Sequence, residues 1–196
     1  MFIVFEGLDG SGSTTQAKLL VEFLKKQKIK ALHTSEPTTN TLGKLIRQAL
    51  QQKFAVSPEA LQLLFCADRA EHLRTEIEPA LRAKKIVVCD RYAWSTIAYG
   101  SLSTETPWLK DLNRIFLKPD FTFVLDVPIK TCLQRIAARG KKELFEEETK
   151  LKKVWQVFFA LVKQEKKCAI IDGTLSKENI LAEVLKILRH KFPAQF

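Results

Sequence analysis

A glycine-rich loop, Gly7-Leu8-Asp9-Gly10-Ser11-Gly12-Ser13-Thr14, joins a short apolar run to a helical pattern near the start of the chain. Phe2-Ile3-Val4-Phe5 is continuously apolar and β-prone, as a strand covered on both faces of a parallel sheet must be. Beyond the loop, Ala17, Leu20, Val21 and Leu24 recur at helical spacing, and Lys25, Lys26 and Lys28 close the segment. A strand, a glycine turn and a helix N-terminus make an anion site. The glycines turn successive backbone N–H groups toward one ligand, and the helix dipole adds positive charge. The phosphate-loop spacing is Gly, four residues, Gly, Lys, Ser/Thr. Gly7, Gly12 and Thr14 fall on their marks, but Ser13 occupies the lysine position. The segment from Gly7 to Thr15, including Asp9, Gly10 and Ser11, is therefore expected to bind a nucleotide. Thr14 is expected to offer its hydroxyl to a phosphate-bound Mg²⁺. No point charge comes from position 13.

The rest of the chain repeats the strand–helix alternation. Apolar, strand-like runs cover Phe2–Phe5, Ile29–Thr34, Ile86–Cys89, Phe121–Leu125 and Cys168–Ile171. Helical patterns cover Thr14–Gln27, Leu42–Gln52, Pro58–Arg82, Pro128–Arg139, Glu146–Lys166 and Lys177–Lys191, with Pro79 expected to kink or divide the third. Short connections between such elements imply a parallel sheet with helices on both faces and ligands at the strands' carboxyl ends. At 196 residues, with no repeat or low-complexity linker, one α/β domain is expected over 1–196.

Hydrophobic content of 46% and charged content of 28% are those of an ordinary globular chain. No apolar stretch reaches membrane-spanning length and no signal core follows Met1, so a cytoplasmic protein is expected. Cys66, Cys89, Cys132 and Cys168 are scattered singly, which suggests reduced thiols rather than a metal site. The net charge of +10 raises nucleic-acid binding, but the lysines alternate with glutamates along helices and no aromatic-interleaved signature accompanies them. The basic groups that matter are expected to converge on phosphates.

Val87-Val88-Cys89-Asp90 delivers a carboxylate to the end of a buried strand, beside the glycine loop if the two strands are neighbours. There Asp90 would hold Mg²⁺ through water; as a plain structural residue it would cap the next helix. Arg91 follows at once with a planar fork suited to phosphate oxygens. These features join Phe5-Glu6-Gly7-Leu8-Asp9-Gly10, Ser35-Glu36-Pro37 with Gly43 and Arg47, and the run from Leu64 to His72. Asp90-Arg91-Tyr92 with Ser95, Ala98 and Tyr99 belongs to the same set, as do Lys118-Pro119-Asp120 and Leu125-Asp126-Val127. As a set, over nearly the whole chain, they resemble the thymidylate kinase family of nucleoside monophosphate kinases.

The resemblance implies a three-layer α/β fold of the P-loop NTPase type with a five-stranded parallel sheet. It also implies transfer of the γ-phosphoryl of ATP to dTMP, a Mg²⁺ ion at Thr14 and Asp90, and a homodimer. Arg47 would contact the monophosphate, Phe65 the base face, Arg69 a base carbonyl, and Tyr99 the sugar edge, where it disfavours a 2′-hydroxyl. Glu36, Pro37 and Ser95 complete the acceptor site. On the residues alone, Phe65 reads as core and Arg47 as a surface helix charge. Asp9 would face the acceptor, Arg91 would bridge donor and acceptor, and Asp172 would border the adenine. A lid over about 135–150 would bring Arg135, Arg139, Lys141 and Lys142 over ATP. Two departures stand out. Gly100 occupies a position that is commonly polar in the family, leaving the thymine edge to backbone or water. Ser13 replaces the lysine, and Lys18 lies about 140° around the helix from it. The chain is thus a slower kinase, a kinase with a rewired cation, a silent nucleotide-binding relative, or a kinase for another monophosphate.

Overall fold

A computed structural model describes residues 1–138, 144, 145 and 147–196. Its strands are β1 (Phe2–Gly7), β2 (Ala31–Ser35), β3 (Ile86–Asp90), β4 (Phe121–Asp126) and β5 (Cys168–Asp172). They form one sheet in the order β2-β3-β1-β4-β5, and each pairs with its neighbours in parallel. The expected five strands are all present. β2 begins at Ala31 rather than Ile29, and all five run slightly past their expected ends, so that Gly7, Ser35, Asp90, Asp126 and Asp172 close them. Polar end residues do not read as strand in isolation, yet the parallel ladder extends through them.

The pleat divides β1 between two cores. Ile3 and Phe5 face α1 (Ser13–Lys26) and α9 (Lys177–Lys191), packing with Leu20, Leu24 and Val184. Phe2 and Val4 face the other way, onto a long helical run. That run begins as α3 (Pro58–His72), widens into a π turn over Leu73–Ile77 and continues as α4 (Glu78–Arg82). The division expected at Pro79 is realised as this π turn just before it, because a proline without an N–H cannot close the ordinary i→i−4 bond. Beyond Gly7, Leu8 packs with α5 (Ala93–Gly100), α7 (Ile129–Ala137) and α8 (Glu148–Gln164). The result is the expected three-layer P-loop architecture.

Residues 93–113 were unassigned by periodicity and contain α5 and α6 (Thr106–Asn113). α5 is apolar on most sides and five of its eight residues are buried, so it carries no amphipathic signal. α2 (Thr41–Leu50) is anchored by Asn40, whose side chain accepts from the Gly43 amide at 2.9 Å. A Cβ on Gly43 would lie 1.9 Å from the Thr38 carbonyl oxygen, so the helix abuts the backbone that leaves β2. Gly43→Ala is therefore expected to cost about 1–3 kcal/mol or more in urea unfolding through overpacking. An unchanged midpoint would contradict this contact.

Candidate active site

The glycine loop hands β1 directly to α1. Gly12 takes φ 98° as the N-cap and offers no side chain to the helix amides, which stay open to an anion. Gly10 has φ 82°, and a Cβ there would lie 2.6 Å from the Cys132 carbonyl oxygen. α7 is thus seated on the loop, and Arg135 on its exposed side donates through Nη1 to the carbonyls of Gly10 (3.1 Å) and Ser11 (3.3 Å). Ser13 is buried and short, so position 13 carries no charge. Lys18 is exposed on α1, and its charge is felt by His33 on the edge strand β2.

β3 pairs beside β1 with Phe5 opposite Asp90, which satisfies the condition for bringing Asp90 to the loop. Thr14 donates its hydroxyl to Asp90 Oδ2 at 2.5 Å, while the buried Asp90 Oδ1 has no partner among the described residues. A hydroxyl and a carboxylate with a spare buried oxygen fit a hard cation.

Arg91 follows in the left-handed region at φ 66°. Its Nη2 meets Asp9 Oδ1 at 2.6 Å, and its Nη1 donates to the Gly7 carbonyl (3.0 Å) and to Ser95 Oγ (3.1 Å). Burial works against its charge, but Asp9, Tyr99, Asp90 and Glu6 together hold the guanidinium above the ordinary arginine range. Tyr99 lies 5.3 Å below it and accepts the Asp9 amide at 2.9 Å.

These groups border a cavity of about 110 Å³, also lined by Glu36, Pro37, Gln62, Phe65, Arg69 and Thr96. Phe65 is half-buried there, packed against the α2–α3 core and lining the cavity. Arg69 reaches the cavity wall but is fully buried. Its Nε and Nη2 donate to Glu36 Oε2 (2.9 and 2.7 Å), its Nη2 to Thr96 Oγ1 (2.8 Å), and its Nη1 to Asn113. Arg47 is the expected acceptor residue that does not line the cavity; its guanidinium donates to the carbonyls of Pro37 and Thr38. Asp172 is exposed at the end of β5 and accepts from Thr174 N and Oγ1. Arg139, Lys141 and Lys142 lie outside the described residues.

Three further residues shape the site. Asp68, buried in α3, accepts the Thr38 amide (2.8 Å) and hydroxyl (2.5 Å) and so holds the strand exit that Arg47 grips. Gln62 fills the space opposite Gly100: a Cβ there would lie 2.9 Å from Gln62 Oε1, a buried oxygen with no partner among the described residues. Gln62, Phe65 and Arg69 share one face of α3 by their spacing, but spacing alone does not say what that face meets. Glu6, fully buried, accepts Tyr92 N (3.0 Å), Ser95 N (3.1 Å) and the Ser95 hydroxyl. A larger cavity, about 660 Å³, lies behind Glu6 under α6 and α8, and no residue of the glycine loop borders it. The chemistry therefore points to the smaller cavity.

Comparison with known proteins agrees with this geometry. The thymidylate kinase family model matches residues 5–184. The chain belongs to the thymidylate kinase family. Relatives include a probable thymidylate kinase of Methanocaldococcus jannaschii, 43% identical over 97% of this chain and 96% of the relative. One from Thermococcus onnurineus is 38% identical over 97% of this chain and 98% of the relative. A putative thymidylate kinase of Treponema pallidum is 42% identical over 74% of this chain and 71% of the relative.

In this family member Glu6 titrates far from the carboxylate range. Burial raises it from 4.5 to about 7, against the pull of Ser95, Arg91 and Arg69. A raised folded value favours the native state while the group is protonated. That contribution is complete below about pH 4.5 and lost as pH rises to about 7, on the order of 3 kcal/mol in all. Urea unfolding across this range should show the wild type losing stability relative to Glu6→Gln, with a constant difference above it. A difference that does not vary with pH would contradict the burial effect.

Proposed function

We propose that the chain transfers the γ-phosphoryl group of ATP to dTMP, giving ADP and dTDP. The observation that carries this reading is the shared wall between the glycine loop and the acceptor cavity. Asp9 belongs to the loop and lines the cavity, and Arg91 spans both through Asp9 and the Gly7 carbonyl. A γ-phosphate cradled by the loop amides would face an acceptor phosphate beside Arg91. An acceptor oxygen attacks phosphorus in line while the bond to the β,γ-bridging oxygen breaks. Arg91 neutralises charge spread over the transferring group. Thr14 and Asp90 would hold Mg²⁺ together with phosphate oxygens and water, which would add charge neutralisation. No group of three or more potential metal-binding side chains occurs among the described residues, in keeping with ligands shared with the nucleotide.

In the acceptor cavity, Tyr99 would exclude a ribose 2′-hydroxyl and Phe65 would lie against the base. The Gln62 amide, in the space that Gly100 leaves open, would meet the thymine edge beside Arg69. Arg47 would reach the monophosphate from its hold on Pro37 and Thr38. Asp172 would border the adenine, and the lid over about 135–150 would close above ATP. No helix among the described residues is long and apolar enough to cross a membrane, in keeping with a cytoplasmic enzyme. Leu63 on α3 and Ile115 beyond α6 expose large apolar side chains, in keeping with a homodimer.

ADP release measured across nucleoside monophosphates should rank dTMP first, dUMP lower, and dCMP, AMP and GMP far below; equal turnover of AMP would sink the assignment. Arg91→Ala should lower kcat by roughly 10²–10³, as for loss of a donor aimed at transition-state charge. Arg47→Ala should mainly raise KM for dTMP.

Arg135 is proposed to supply part of the charge that Ser13 does not, since its exposed guanidinium is anchored on the loop itself. Arg135→Ala should cost roughly 10² in turnover, and Ser13→Lys should recover most of that loss. Equal losses in both backgrounds would show that Arg135 is not the substitute cation.

A further inference from the structure

Glu6 has no part in the chemistry described so far, yet its surroundings are those of a constructed site. It leaves β1 on the same face as Val4, under the start of α5, with none of its surface exposed. Oε1 accepts two backbone amides, Tyr92 N and Ser95 N. The side chain of Tyr92 gives α5 no cap, so Glu6 does that work from another strand. Oε2 accepts the Ser95 hydroxyl, whose oxygen in turn accepts Arg91 Nη1. Arg91 itself sits at φ 66°, a conformation a non-glycine residue keeps only where its surroundings enforce it. The backbone on one side of that strained residue is held by the Phe5 carbonyl at 2.8 Å, and on the other by Glu6.

We infer that Glu6 is a positioning residue for Arg91, acting through a relay in which its carboxylate directs the Ser95 hydroxyl so that Ser95 Oγ presents lone pairs to the guanidinium. Once ionised, above about pH 7, the Glu6 carboxylate only accepts hydrogen bonds. The Ser95 proton must then point at Glu6, and the oxygen is left to receive Arg91. An amide in the same place can still accept both backbone amides through its oxygen. Its NH₂ would face Ser95 Oγ as a donor, which competes with Arg91 for the same lone pairs. Glu6→Gln therefore separates the capping role from the relay.

This inference rests on the proposed transfer to dTMP, so wild-type turnover is measured first. In an active enzyme, Glu6→Gln should lower kcat by on the order of 10²-fold, the size expected when a catalytic group is misplaced by about 1 Å. KM for dTMP should stay within about threefold, because Arg91 acts mainly in the transition state. Ser95→Ala should give a similar loss, and the double variant should be no worse than either single one, since both break one relay. If Glu6 only capped α5, Glu6→Gln, which keeps both backbone amides satisfied, would leave kcat unchanged. Should Glu6→Gln not fold, the Ser95 series decides: Ser95→Thr keeps the hydroxyl and should retain turnover that Ser95→Ala loses. Near-normal kcat in a folded Glu6→Gln or in Ser95→Ala, or losses that multiply in the double variant, would overturn the role of Glu6 alone. A wild type that transfers nothing to dTMP would overturn the activity and this inference with it.

Discussion

The parallel pairing of β1 with β3 is the constraint on which the site depends. One register sets Phe5 opposite Asp90, so the chain leaves both strands at the same level. The loop after β1 then presents backbone amides where the turn after β3 presents Asp90 and Arg91. The Arg91 amide bonded to the Phe5 carbonyl carries the ladder past the strand end. A slip of one residue would turn Asp90 to the opposite face, away from Thr14. The geometry of the candidate site and the core packing are therefore specified by one set of hydrogen bonds, since the same register packs Ile3 and Phe5 with Val88 against α1.

The cavity wall formed by α3 and the end of β2 is built differently, from buried charge. Glu36 takes Arg69 on one oxygen and His72 on the other, and all three side chains are withdrawn from solvent. Such groups are costly to bury singly, so their value lies in mutual satisfaction and a fixed arrangement rather than in net stability. The network anchors the end of β2 against α3, and Asp68 adds a second anchor at Thr38. Arg69 presents a wall to the cavity while most of its donors are occupied. An arginine of this kind shapes a pocket as much as it contacts a ligand. Arg91 contrasts with it: partly exposed, bonded to a loop carboxylate, and held in a strained conformation between the glycine loop and the cavity.

Legibility followed the range of the interactions. The glycine spacing, the apolar runs and the helix caps are local, and the loop, all five strands and most helices lay in the sequence accordingly. Ser57 before Pro58 and Glu59 marked the start of α3, and its side chain does accept the Ala60 amide. α5 was missed because a helix buried on most sides shows no periodicity, and α6 because eight residues are too few to display one. The Leu64–His72 run and Asp90-Arg91-Tyr92 marked the site through their resemblance to the family. Their individual partners were a different matter. Arg47 on two carbonyls, Gln62 in the space beside Gly100, and Glu6 beneath Ser95 join residues from 9 to 89 positions apart.

By itself the sequence determined the order of the strands and most helices, the anion-binding loop and its missing lysine, and a family membership that supplies donor and acceptor. These depend on residue type and short spacing, which a linear chain displays in full. Only the tertiary structure decided which side chains meet across the sheet. It seated Arg135 on the loop, left one oxygen of Asp90 open beside Thr14, and ran a hydrogen-bonded chain from Glu6 through Ser95 and Arg91 to Asp9. The physical reason is that hydrogen bonds and burial act through space. Register and helix docking choose their partners, and no local pattern along the chain encodes that choice.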